Sequence, residues 1–190
     1  MRLYGRVGTM LEGETKFKNK YRIPSARLQG YDYSQIGLYF VTICTKNRFP
    51  YFGIIKNGEM QLSKIGTTAY NCWLEIPNHF PHVSLDEFVI MPNHIHGIIC
   101  IFVETHNYAS LPEAMNYRNT FGPQSKNLSS IIRGFKIGVQ KWATMNKIDF
   151  DWQSRFYDHV IRTEKSLEMI RNYIRKNPET WLEDQLYIPS

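Results

Sequence analysis

Val83–Val103 reads VSLDEFVIMPNHIHGIICIFV. Its reading decides the fold. Val83–Met91 and His94–Val103 are both rich in β-branched and large apolar residues, which suits pleated strands. Only Pro92-Asn93 lies between them, and a connection that short joins strands antiparallel. The remaining elements arrange themselves around this pair.

Upstream, Leu38–Thr45 (LYFVTICT) reads as a buried strand. Asn57-Gly58 sits between Tyr51–Ile55 and Met60–Leu62 and marks a hairpin. A helix is expected from Ser63 to about Ile76, capped by Ser63, with Ile65, Ala69, Cys72 and Trp73 on its apolar side and Pro77 ending it. Downstream, Glu104–Lys126 is polar and reads as an irregular loop. Asn127 can cap a helix in which Leu128, Ile131, Ile132, Phe135, Val139 and Trp142 form one stripe. Trp152–Arg162 reads as part strand, its aromatics more readily core than base-stacking surface. A last helix is expected over Glu164–Asn177, with Thr163 as cap and Leu167, Ile170 and Ile174 inward. This order predicts an α+β fold, an antiparallel sheet with helices packed on one face. Residues 1–26 are weakly patterned and read as a basic N-terminal arm, with 27–190 as a single domain.

The chain has 190 residues, of which 43% are hydrophobic and 21% charged, a globular composition that excludes disorder and coiled coil. The longest apolar runs, Gly37–Cys44 and Gly97–Val103, fall far short of the roughly 20 residues a membrane span needs. No secretory signal is visible at the N-terminus. Cys44, Cys72 and Cys100 form no CxxC, so neither a disulfide framework nor a cysteine-rich zinc site is expected, and a reducing cytoplasm is the natural compartment. The net charge of +6 is uneven: residues 1–29 carry +5 and residues 126–176 carry +6, around a mildly acidic middle. Basic clusters of this kind draw polyanions, chiefly nucleic acid, although solvated surface helices give the same pattern.

The sharpest chemical feature is His94-Ile95-His96. On a strand, residues i and i+2 share a face, about 7 Å apart at the backbone, which allows two imidazoles to share one metal ion. Two ordinary histidines at a strand start fit the same letters. Tyr173 and Asn177, four apart on the last helix, also share a face. Tyr173 offers a hydroxyl nucleophile and Asn177 a carbonyl oxygen for a metal; plain packing and helix capping are the alternatives. His79, His82, His106 and His159 have no convincing partner spacing. There is no GxSxG, phosphate loop or dinucleotide fingerprint, which argues against a nucleotide-driven enzyme.

Several blocks, taken in order, resemble the REP-associated tyrosine transposases, which belong with the insertion-sequence single-strand transposases in the HUH endonuclease superfamily. They are Arg27–Ser34 followed by Gly37–Thr45, then Phe88–Gly97 with the HUH strand, then Trp152-Gln153, Phe156 and Asp158–Arg162, and last Asn172-Tyr173-Ile174 with Asn177-Pro178. The resemblance runs from about Arg27 to Asn177. It implies a ferredoxin-like, RRM-like fold and metal-dependent cleavage and rejoining of single-stranded DNA near hairpins. Carried over, His94 and His96 bind a divalent metal and Tyr173 is the nucleophile. The third ligand of insertion-sequence members is a Gln, and here that position is Asn177, one methylene shorter, so a water or a nearby acid is the alternative.

On this resemblance the cofactor is Mg²⁺ or Mn²⁺, with two imidazoles favouring Mn²⁺. Single-stranded or hairpin DNA is the partner, met by Arg133, Lys136 and Lys141 on the basic helix and by Lys16, Lys18, Lys20 and Arg22 on the arm. A bacterial cytoplasmic, nucleoid-associated location follows. Monomer and homodimer both stay open, and so does a non-catalytic hairpin-binding protein on the same fold.

Overall fold

The computed structural model describes residues 35–102 and 127–188, with Tyr33 and the backbone of residues 16–17 and 20–21. The expected loop Glu104–Lys126 and most of the basic arm lie outside the described residues. The strands are β1 (Lys16–Phe17), β2 (Lys20–Tyr21), β3 (Gly37–Cys44), β4 (Gly53–Lys56), β5 (Glu59–Leu62), β6 (Val83–Ile90), β7 (His94–Ile101) and β8 (Tyr157–Ile161). The helices are α1 (Lys64–Leu74), α2 (Ile76–His79), α3 (Leu128–Met145) and α4 (Glu164–Lys176).

The central sheet has four strands in the order β6-β7-β3-β8, every neighbour antiparallel. With β1, β2 and the β4–β5 hairpin set aside, the path β3-α1-β6-β7-α3-β8 is the ferredoxin-like one. The Pro92-Asn93 turn joins β6 to β7 as expected, and β7 also pairs along its whole length with β3. A strand bonded on both sides and covered on both faces needs apolar residues at nearly every position, and β7 reads HIHGIICI.

Strand alternation sorts the core into two clusters. Tyr39, Val41 and Ile43 of β3 and Ile95 and Ile99 of β7 meet α1 and α3. Phe40 and Ile98, one step out of phase, meet Leu167, Ile170 and Ile174 of α4. Helices therefore pack on one face as expected for α1 and α3, and α4 covers part of the opposite face. The histidines share the phase of Ile98, so both imidazoles of the HIH motif point at α4 while Ile95 points away from it.

Local signals explain the elements. Ser63 caps α1, accepting from the Gly66 N–H at 3.1 Å. Asn127 and Ser130 form a reciprocal capping box on α3. Thr163 caps α4 through the Ser166 N–H. Asn57 and Gly58 both have positive φ, 54° and 76°, the geometry a two-residue hairpin turn requires. One boundary differs from the sequence reading: α1 stops at Leu74, and Pro77 lies in the first turn of α2 instead of ending α1. Proline lacks only an N–H that a first helical turn leaves unbonded anyway.

Gly97 carries a constraint that the motif alone does not reveal. A Cβ there would drive into the Trp73 ring, which is fully buried between β7 and α3. Gly97→Ala is expected to cost about 1–3 kcal/mol through overpacking. A denaturant midpoint shift without a change in slope checks this, and an unshifted midpoint would mean Trp73 repacks freely.

Candidate metal and nucleophile site

His94 and His96 are both fully buried, and their rings are 4.4 Å apart centroid to centroid. Each is held through Nδ1. His94 Nδ1 lies 2.8 Å from the Asn93 side-chain oxygen, and His96 Nδ1 lies 2.8 Å from the Thr42 hydroxyl across the β3–β7 ladder. The Asn93 amide settles the first tautomer. Its Nδ2 donates to the carbonyls of Arg48 (3.1 Å) and Leu186 (2.8 Å), so its oxygen accepts and His94 Nδ1 carries the proton. That leaves a lone pair on His94 Nε2, which is buried with no hydrogen-bond partner.

Burial holds both imidazoles neutral. It pushes the His94 pKa down to about 3, helped by the nearby Arg48 cation. Burial also holds His96 well below the usual histidine range, with His94 adding to the effect and Asp184 opposing it. A neutral imidazole with an inward lone pair, as His94 offers at Nε2, is what a divalent ion takes as a ligand.

The α4 helix brings the other groups. The Tyr173 hydroxyl stands 3.1 Å from His96 Nε2 and 3.4 Å from Asp184 Oδ2. Phe40 stacks on His96 and meets Tyr173 edge-on, which fixes both rings. Asn177, the C-cap of α4, is buried; its Nδ2 donates to Asp184 Oδ2 at 2.9 Å, and its Oδ1 is buried without a partner. Asp184 follows the short 3₁₀ turn Trp181–Glu183, and its Oδ1 accepts from the Leu186 N–H. One ligand atom each from His94, His96 and Asp184 lie within 4.8 Å of one another. Trp181 lies against His94, at 5.8 Å between centroids.

The sequence-expected residues His94, His96, Tyr173 and Asn177 thus converge on one point. The sequence reading allows for a nearby acid without locating Asp184, and it gives no role to Asn93 or Thr42. Asp184 sits seven positions after Asn177 in a turn, beyond any helical or strand periodicity. Asn93 reads as a turn residue, and Thr42 is tied to His96 only by strand register.

The basic candidates are more dispersed. Arg133 and Lys136 line an open groove of about 410 Å³ between α3 and the segment that runs through Trp152 and Phe156, while Lys141 is exposed elsewhere on α3. Lys136 Nζ donates to the carbonyls of Gln153 (2.7 Å) and Arg155 (3.2 Å) and lies over the Trp152 ring. Burial pushes its pKa down to about 8. Lys18 and Arg22 lie outside the described residues, and of Lys16 and Lys20 only the backbone ladder is described. Among the described residues no helix is long and apolar enough to cross a membrane.

No family model matches the chain. It is 48% identical over 168 residues to an uncharacterized protein of Haemophilus influenzae, covering 86% of this chain and 92% of that one. It is 28% identical over 147 residues to a second Haemophilus influenzae protein, which carries the provisional name REP-associated tyrosine transposase, covering 77% and 73%. Among solved structures, a REP-associated tyrosine transposase bound to a REP hairpin superposes with a TM-score of 0.55 at 20% identity, over 82% of this chain and 74% of the other. The chain belongs to one family with the 48% identical Haemophilus influenzae protein, and in sequence and in fold it is similar to the REP-associated tyrosine transposases.

Proposed function

We propose that this protein is a metal-dependent transposase that cleaves and rejoins single-stranded DNA beside hairpins through a phosphotyrosine. The observation that carries the reading is the Tyr173 hydroxyl at 3.1 Å from His96 Nε2, beside a second buried imidazole whose Nε2 has no partner. A structural histidine would have both nitrogens satisfied, because an unpaired buried polar atom costs about 1–3 kcal/mol. His94 Nε2, His96 Nε2 and an Asp184 carboxylate oxygen fit a divalent ion, with the Asn177 Oδ1 beside them. A divalent ion supplies polarisation of the scissile phosphate at such a site. Two imidazoles favour Mn²⁺ over Mg²⁺.

The chain's own groups then do the following. The Tyr173 oxygen attacks phosphorus and forms a 5′-phosphotyrosine, and the bond to the 3′ oxygen breaks to leave a 3′-OH. Tyrosine titrates near pH 10, so about 0.1% is ionised at pH 7 and the attack needs a proton acceptor. Asp184 Oδ2, 3.4 Å from the hydroxyl, would take that proton where the other carboxylate oxygen holds the ion. The phosphodiester energy is kept in the tyrosyl ester, so a 3′-OH can reverse the step. Arg133 and Lys141, exposed on α3, are offered to the DNA backbone. Lys136 has one ammonium hydrogen left after its two carbonyl bonds. A role for Lys16, Lys18, Lys20 and Arg22 on the DNA belongs to the same proposal.

The test is incubation of the protein with single-stranded hairpin oligonucleotides and Mn²⁺ or Mg²⁺. A protein–DNA band that survives denaturation, and that vanishes with a chelator, is expected. Tight hairpin binding with no such band under either ion would leave a binding protein instead.

A further inference from the structure

The α4 helix is seated by a narrow apolar seam. Among the described residues, its buried apolar side chains in the core are Leu167, Ile170 and Ile174, against Phe40, Ile98 and Ile161, with Tyr173 packed half-buried at the edge of that cluster. A seam of that width fixes the distance of a helix from a sheet better than its roll about its own axis. At 100° per residue, Arg171 and Arg175 fall on one flank of this seam, and Tyr173 and Asn177 on the other.

The arginine flank is anchored to the edge strand. Arg171 grips Asp86 with two parallel bonds, Nε to Oδ1 at 3.0 Å and Nη2 to Oδ2 at 2.6 Å. Arg175 bonds Glu87 Oε1 through Nε at 2.9 Å and Nη2 at 2.7 Å. Glu168 lies 3.5 Å from both guanidinium groups and pre-shapes them on the helix surface. Asp86 and Glu87 are consecutive, and consecutive residues of a regular strand point to opposite faces. Here both reach α4. The cause is a β-bulge: Leu85 pairs with Ile99 and Phe88 with Gly97, so Asp86 and Glu87 together stand opposite Ile98.

We infer that this bulge and the arginines it receives set the roll of α4, which makes Asp86, Glu87, Arg171 and Arg175 positioning residues for Tyr173. The inference rests on the reading of Tyr173 as nucleophile. A helix surface lies about 5–6 Å from its axis, so a roll of about 10° displaces a side-chain tip by about 1 Å. A misplacement of that size costs on the order of 10²-fold in rate. A two-point guanidinium–carboxylate fork resists such a roll because it fixes a plane as well as a distance.

The experiment compares the wild type with Asp86→Asn/Glu87→Gln and with the charge swap Glu87→Arg/Arg175→Glu. The amide variant is expected to lose about 10- to 100-fold in the rate of DNA adduct formation. Its hairpin affinity, Mn²⁺ affinity and circular dichroism are expected to stay close to wild type. The charge swap is expected to recover most of the rate that Arg175→Glu alone loses. Independently of activity, the ¹³Cζ resonance of labelled Tyr173, assigned by its loss in Tyr173→Phe, should shift in the amide variant as its contact with His96 is disturbed. A wild-type rate, or an unmoved Tyr173 resonance, in the amide variant overturns the inference. Absence of any adduct from the wild type overturns the nucleophile reading instead, and the resonance still decides the positioning.

Discussion

The Tyr173→Phe protein is expected to fold, bind hairpin DNA and form no covalent adduct, a loss of at least about 10³-fold in strand cleavage. The substitution removes one oxygen. The ring stays, and it is the ring that meets Phe40 and His96. The lost hydrogen bond leaves the buried His96 Nε2 without that partner, which costs about 1–3 kcal/mol of stability in the metal-free protein, and the Asp184 contact is longer still. A large catalytic loss with a modest stability change therefore separates a nucleophile from a packing residue. Asp184→Asn probes the partner: it keeps the side chain's shape, removes its charge, and is expected to slow adduct formation by roughly 10²-fold. An adduct that persists in Tyr173→Phe would move the nucleophile to another tyrosine. Tyr157 is the one to examine, since it joins the same cluster on the α4 side of the sheet.

The parts of this site that could be read in the sequence are those set by local periodicity. Val83–Val103 announces an antiparallel pair because Pro92-Asn93 is too short for any other connection, and that pairing decides which residues share a face. His94 and His96 follow from the period of two, and Tyr173 and Asn177 from the helical period. The packing of α4 on the face opposite α1 and α3 could not be read the same way. The apolar stripe of α4 says that it is buried, whereas the phase of Phe40 and Ile98 says where. The acid of the site was hidden for a related reason. Asp184 lies in a turn whose position depends on Asn93, through the Leu186 carbonyl, and on Asn177. Those bonds join residues 7 to 93 positions apart, which no local pattern can encode. The β6 bulge is invisible for the opposite reason: VSLDEFVI reads as a broken alternation, and only the facing strand shows that the break serves two ion pairs.

The second large effect concerns the metal and the stability of the fold. Mn²⁺ at about a hundred times its dissociation constant is expected to stabilise the protein by about 2.7 kcal/mol, provided the unfolded chain binds it weakly. For a chain of this size each kcal/mol is worth roughly 2–4 °C, so the melting temperature should rise by about 5–11 °C. A chelator should reverse the rise, and His94→Gln/His96→Gln should show none. Acidity should act through the same residues. Unfolded histidine titrates near pH 6.5, whereas burial holds His94 at about 3 in the fold and depresses His96 in the same direction. Below pH 6.5 the unfolded chain therefore binds protons that the folded protein refuses. Metal-free stability should fall as pH falls from about 6.5 toward 3, by about 1.4 kcal/mol per unit for His94 alone. The double glutamine variant should lose much of that slope. Thermal melts of the metal-free and Mn²⁺-loaded protein between pH 8 and pH 5 measure both effects. A metal-independent melting temperature would remove the ion from the site, and a flat acid limb would show that the two imidazoles are less buried than their packing against Phe40 and Trp181 requires.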